Sequence, residues 1–222
     1  MMLLRKEYNS QLQELHDMLT RMGKLCQEVI ALGTKALRIE EDGLYERIFS
    51  LDEQIDQAQN DVQAFCLKLL LLQNPMASDL RRISAALKMV SDMERIGDQA
   101  ADIAELAPYL VQAGVEGRVH IQEMGEATVK MVEDSVAAFV EDNQELAQRV
   151  IVADDVVDDL FEKVRDELIE LIRENAIDPK AAMDLLMAAK YCERIGDHAV
   201  NIAEWVDYTI TGQLQNNEHV KG

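Results

Sequence analysis

Aromatic side chains are scarce in this chain, at 5% of 222 positions, and there are only 3 prolines. With few strand-favouring rings and few helix breakers, what remains is dominated by Leu, Ala, Glu, Met and Asp, which are helix formers or tolerated on helix surfaces. Cysteine is nearly absent too. Cys26, Cys66 and Cys192 are odd in number and lie in apolar helical runs, which excludes a disulfide frame and reads as reduced, buried thiols in a cytosolic protein. No CxxC or CxxH pair is present, so the usual structural zinc spacing is missing.

Basic residues are outnumbered. There are 22 against 42 acids, for a net charge of −20. Nucleic acid is excluded as a partner, because phosphate binding needs a basic footprint. An anionic membrane surface is disfavoured for the same reason. Cations and basic protein patches are the natural partners. Long apolar runs are lacking as well. The longest, Leu69 to Leu72, stops at Gln73, Asn74 and Pro75, so no integral membrane span is expected. The opening MMLLRKEYNS is too short an apolar run for a signal peptide. No GxxxxGK phosphate loop and no nucleophile–base–orienter set is visible, so turnover of ATP or phosphate is not expected.

What the chain does contain is a repeat. Residues 94–105 read ERIGDQAADIAE and residues 193–204 read ERIGDHAVNIAE, identical at nine of twelve positions at an offset of 99. A second match lies upstream at an offset of 102. There Leu44, Arg47, Ile48, Asp52, Ile55 and Asp56 align with Leu146, Arg149, Val150, Asp154, Val157 and Asp158. Duplication of a unit of about a hundred residues follows.

Apolar periodicity predicts six helices. The first spans about 7 to 40, with Leu12, Leu15, Leu19, Met22, Cys26, Val29 and Ile30 on one face. The second spans about 44 to 73, stopping before Pro75. The third spans about 77 to 107, stopping at Pro108 or trailing to Gln112, with Ser78 or Asp79 available to cap its start. Gly114 and Gly117 form a seam. The fourth spans about 118 to 141, the fifth about 144 to 175 and the sixth about 179 to 211. Asp178 followed by Pro179 supplies an N-cap and a first-turn proline for the last. The expected fold is all-α: two tandem, pseudo-symmetric, antiparallel three-helix bundles. The first occupies residues 1–113 and the second 114–214, with a frayed tail at 215–222.

On a helical wheel with Glu94 at zero, Glu105 lies at about 20°, Asp98 at about 40° and Asp102 at about 80°. The apolar residues Met89, Ile96, Ala100, Ile103 and Ala107 gather near about 180° to 240°. The carboxylates therefore form a ridge facing away from the core. Glu193, Asp197, Asn201 and Glu204 repeat it, with Lys190 in place of Ser91 and Asn201 in place of Asp102. Like charges four apart cost a helix about 0.2–0.5 kcal/mol per pair. A bound cation is one reason to retain them, and a hydrated ridge is the plain alternative. Recurrence in both halves and the DxxxD pairs Asp52–Asp56 and Asp154–Asp158 on the preceding helices favour the cation. Clustered carboxylate oxygens suit magnesium, manganese or iron. Gly97 and Gly196 sit mid-helix at a cost of about 1 kcal/mol each, which ordinary close packing or an approaching ligand would explain. His198, at about 140° on the second wheel, is expected to be solvated or hydrogen-bonded, and the methionines Met18, Met22, Met89, Met93, Met124, Met131 and Met187 to fill the core.

NPMASDLRRISAALKMVSDMERIGDQAADIAE and LLMAAKYCERIGDHAVNIAE resemble the two signature segments of the PhoU family, and the likeness extends through length, duplication and helix pattern over essentially the whole chain. The resemblance implies a cytoplasmic protein without catalytic activity of its own. Such a protein represses the phosphate-starvation response and couples the ATPase subunit of the phosphate ABC transporter to a membrane sensor histidine kinase. A homodimer is expected. It also implies divalent or trivalent metal ions, drawn from iron, manganese, magnesium or zinc, on E/DxxxD motifs. Carried over by position, the ligands are Asp52, Asp56, Glu94 and Asp98 in the first half and Asp154, Asp158, Glu193 and Asp197 in the second. Asp102 and Asn201 are flanking residues. Asp102 makes the two sites unequal, since the family more often has an asparagine-like residue there.

Two other functions compete. A di-metal oxidase or metal-storage bundle calls for Glu-x-x-His pairs. The residues three before His16, His120, His198 and His219 are Gln13, Gly117, Ile195 and Asn216, so none exists. A passive dimerising scaffold without metal would fold and bind partners in chelator.

Overall fold

A computed structural model describes residues 2–72, 77–113 and 119–213, with side chains for 10–71, 77–111 and 119–213. Among the described residues the chain is six α-helices: α1 (Met2–Ala36), α2 (Leu44–Leu72), α3 (Ala77–Ala113), α4 (Ile121–Glu141), α5 (Gln144–Arg173) and α6 (Pro179–Thr211). No strand occurs among them, so the fold is all-α.

The helix ends follow local chemistry. Asn143 caps α5, its side-chain oxygen accepting the Leu146 N–H at 3.0 Å. Asp178 caps α6 by accepting from Ala181 at 3.3 Å, with Pro179 opening the helix, as expected from the sequence. Gly212 closes α6 at φ 74°, a left-handed position that glycine occupies without steric penalty. The His120 ring caps nothing. Instead the Glu167 carboxylate on α5 accepts the His120 backbone N–H at 3.1 Å, which fastens α5 to the start of α4.

α1 differs from the sequence-based expectation at both ends, starting at Met2 rather than near residue 7. α1 ends at Ala36, short of residue 40. Arg38 and Ile39 turn back to the Lys35 carbonyl, and the acids Glu40, Glu41 and Asp42 follow, an unfavourable charge at the negative end of a helix dipole. Of the two ends expected for α3, the longer holds: it does not stop at Pro108 but runs on to Ala113, one residue past Gln112. An interior proline costs a helix about 3 kcal/mol. Here its ring lies on the exposed side while Ala107 and Leu110 on the opposite face are fully buried, and burial of a leucine contributes about 1.5–3 kcal/mol. Asn74–Pro75, Gly114, Gly117 and the tail after Gln213 lie outside the described residues. α3 starts at Ala77, so Ser78 and Asp79 stand in its first turn.

Within each half the three helices pack on one another in all pairs, and α3 packs on α6 while α1 packs on α4. One hydrophobic core therefore runs through the molecule. Met22, Met89, Met93, Met124 and Met131 are buried in it and Met18 packs against it, whereas Met187 is exposed. The three cysteines are free and buried, and burial pushes each thiol up to about 12. No described helix is long and apolar enough to cross a membrane.

Candidate metal centre

The acidic residues of the first half come from two helices. Asp52 and Asp56 lie one turn apart on α2, and Glu94, Asp98 and Asp102 descend α3. Gly97 lets the two meet. An added β-carbon there would sit 2.9 Å from Asp52 Oδ1 and 3.1 Å from Ile55 Cδ1. The glycine thus makes room for the α2 carboxylate. The arrangement recurs at Gly196, where a β-carbon would lie 3.1 Å from Asp154 Oδ1. Close approach of the neighbouring helix is the reason for both glycines.

Asp56, Glu94 and Asp98 each present an oxygen within 4.8 Å of the others. Asp52 lies deeper. Its Oδ1 is buried without a hydrogen-bond partner. Burial first, then the charges of Asp98, Asp56, Glu94 and Asp102, raise its carboxyl to about 6. Glu94, Asp98 and Asp102 are also raised, each by burial before charge. In the second half Asp154 is raised to about 7 by burial and then by Asp197, Asp158, Glu193 and Asp155. Asp197 is raised by burial and then by Glu193, with Lys190 opposing. Crowded carboxylates that resist ionisation mark a place where a cation would relieve both desolvation and repulsion.

The residues fit hard, oxygen-seeking ions. The donor set is entirely carboxylate, one oxygen is orphaned, and no described lysine or arginine forms an ion pair with Asp52, Asp56, Glu94 or Asp98. Such an ion would bridge α2 to α3, and its positive charge would hold all four acids deprotonated.

Not every candidate joins this arrangement. Asp102 lies outside the converging group; the Arg194 guanidinium of α6 opposes its upward shift, and its own charge raises the Tyr191 phenol after burial has done so. Asn201 donates from Nδ2 to Asp92 Oδ1 at 3.1 Å. His198 Nδ1 lies 3.0 Å from the same oxygen, so the histidine is hydrogen-bonded. Asp92 itself is buried between α3 and α6. Sequence reasoning passed over this residue. The available signal was its position at about 160° on the α3 wheel, a carboxylate at the edge of the apolar face.

A family model described as the PhoU domain matches residues 19–107 and again 121–206. The chain is 37% identical to a phosphate-specific transport system accessory protein PhoU homolog of Aquifex aeolicus, covering 95% of this chain and 96% of that protein. It is 35% identical to the homolog of Clostridium acetobutylicum, over 94% and 96%. Among solved structures, PhoU from Pseudomonas aeruginosa superposes with a TM-score of 0.83 at 33% identity, covering 93% of this chain and 100% of that one. The phosphate transport system regulatory protein PhoU from Streptococcus pneumoniae superposes with a TM-score of 0.85 at 27% identity, over 93% and 98%. With both halves matched by the same domain and relatives aligned over nearly their full length, the chain belongs to the PhoU family.

Proposed function

We propose that this protein is a non-catalytic regulatory adaptor of phosphate transport. It restrains phosphate uptake and the phosphate-starvation response by coupling the ATPase subunit of the phosphate ABC transporter to a sensor histidine kinase. The general role in phosphate transport is supported by the relatives, which are described as phosphate-specific transport system accessory proteins. The protein acts in the cytoplasm as a homodimer. Each half, residues 1–113 and 114–214, is a repeat with its own carboxylate site. The first site uses Asp52, Asp56, Glu94 and Asp98, with Asp102 flanking. The second uses Asp154, Asp158, Glu193 and Asp197, with Asn201 flanking. Divalent or trivalent ions tie the second helix of each repeat to the third and keep the ridge in the shape a partner reads.

The observation that carries the metal part is the convergence of Asp56, Glu94 and Asp98 within 4.8 Å beside the orphaned Asp52 oxygen. Direct phosphate sensing is a poor fit for a chain of charge −20, because an anion finds no basic cradle there. The test is a pull-down from a phosphate-replete lysate, with and without chelator. Recovery of the transporter ATPase or the kinase supports the adaptor, and its loss in chelator places the metal in the mechanism. Recovery of neither in any buffer refutes the coupling.

A further inference from the structure

The two acidic ridges differ by a cation as well as by Asn201 standing in place of Asp102. In the second half Lys190 sets its Nζ 2.6 Å from the Glu193 carboxylate. The same ammonium lies 5.7 Å from the centroid of the Phe161 ring on α5. An ion pair on one side and an aromatic face on the other hold the side chain against the ridge. The first half has neither the lysine nor the ring. Ser91 stands at the place matching Lys190, and Gln59 at the place matching Phe161. The Ser91 hydroxyl turns back onto its own helix, 3.5 Å from the Leu87 carbonyl. The geometry of the carboxylates differs accordingly. Asp56, Glu94 and Asp98 form a group of convergent oxygens, whereas the matching Asp158, Glu193 and Asp197 form no such group among the described residues.

We propose that Lys190 is a built-in counter-ion of the second ridge, so that this protein loads metal on its first half before its second. The proposal rests on the metal reading given above. An incoming cation must either displace the ammonium from Glu193 or sit beside it. One unit charge a few ångströms away at a protein surface changes a binding constant on the order of tenfold or more. Lys190 is therefore a selectivity residue: it sets which half responds first as metal rises, and the first-half ridge is the one open to ions at low concentration.

The experiment titrates Mn2+ into the full-length, metal-free protein, reading calorimetric heat and the electron paramagnetic resonance of free Mn2+. In the wild type a tight step and a step weaker by about tenfold or more are expected. The double variant E94Q/D98N removes the tight step, and E193Q/D197N leaves it. Lys190→Ser strengthens the weak step until the two approach each other, and Ser91→Lys weakens the tight one. Phe161→Gln, which frees the lysine from the ring but keeps its charge, moves the weak step in the same direction by less. Equal affinity of the two ridges when each is isolated, or a weak step unchanged by Lys190→Ser, overturns the proposal while leaving the metal reading intact. No Mn2+ binding by any form overturns both.

Discussion

Gly33 of α1 lies so close to α3 that a β-carbon on it would stand 2.7 Å from the backbone oxygen of Ala100. Gly97, one turn earlier on α3, faces Asp52 of α2 at 2.9 Å by the same measure. The two distances are similar but the neighbours are not. A backbone carbonyl inside a helix cannot yield, whereas the end of a carboxylate side chain can. Gly33→Ala is therefore expected to destabilise the fold by about 1–3 kcal/mol, as overpacking does. Gly97→Ala should change stability little, because the gain in helix propensity of about 1 kcal/mol offsets part of the displacement. It should nonetheless weaken metal binding by pushing Asp52 out of its place. Urea denaturation and metal titration on both variants separate the two effects.

Neutralising the first ridge should stabilise the metal-free protein. Glu94, Asp98 and Asp102 are spaced by four along one helix, and each like-charge pair costs a few tenths of a kcal/mol. The variant E94Q/D98N is expected to melt slightly higher than the wild type without metal and to lose the stabilisation that added metal confers. Paired thermal melts with chelator and with excess Mn2+ check both signs.

The metal-free protein should lose stability as pH rises from about 4 to about 7. Asp52 and Asp154 hold their protons to about 6 and about 7 in the fold, against 3.8 for a free aspartate. The folded state thus binds protons that the unfolded chain has released. Their contribution is complete below about pH 4 and disappears as pH passes their folded values. Asp52→Asn with Asp154→Asn removes this dependence. The difference in melting temperature between wild type and the double variant, followed from about pH 5 to 8 in chelator, measures it. A flat difference would refute the assignment.

Asp92 ties the two halves together through His198 and Asn201. Replacing it by alanine leaves two partly buried donors without an acceptor, at a cost of about 1–3 kcal/mol. Hydrogen exchange should rise at the α3–α6 contact in this variant. Asn201→Ala alone should cost less, since His198 keeps its partner.

The cysteines should be inert in the native state. Cys26, Cys66 and Cys192 are buried with thiols raised to about 12, and it is the thiolate that reacts. A thiol reagent at neutral pH should modify none of them in the folded protein and all three in denaturant. This makes them reporters of global unfolding.

Six helices, their tandem halves and the acidic ridge were legible in the residues because each depends on local geometry alone. A helix advances about 100° per residue wherever it forms, so spacings of three and four project Glu94 and Asp98 to one side and Ile96 and Ile103 to the other. The cap at Asp178 is equally local. The remaining features are set by which surfaces meet. That Gly97 shelters an α2 carboxylate and that Asp92 takes the Asn201 amide away from the ridge are facts of helix pairing. α3 passes Pro108 because Leu110 has a core to enter. Lys190 differs from Ser91 in the sequence, but its hold on Glu193 and Phe161 arises only where α5 lies against α6. Periodicity assigns a side chain to a face. Which neighbour lies opposite that face, and at what distance, is decided by packing between segments far apart in the chain, and the site's charge balance is set there.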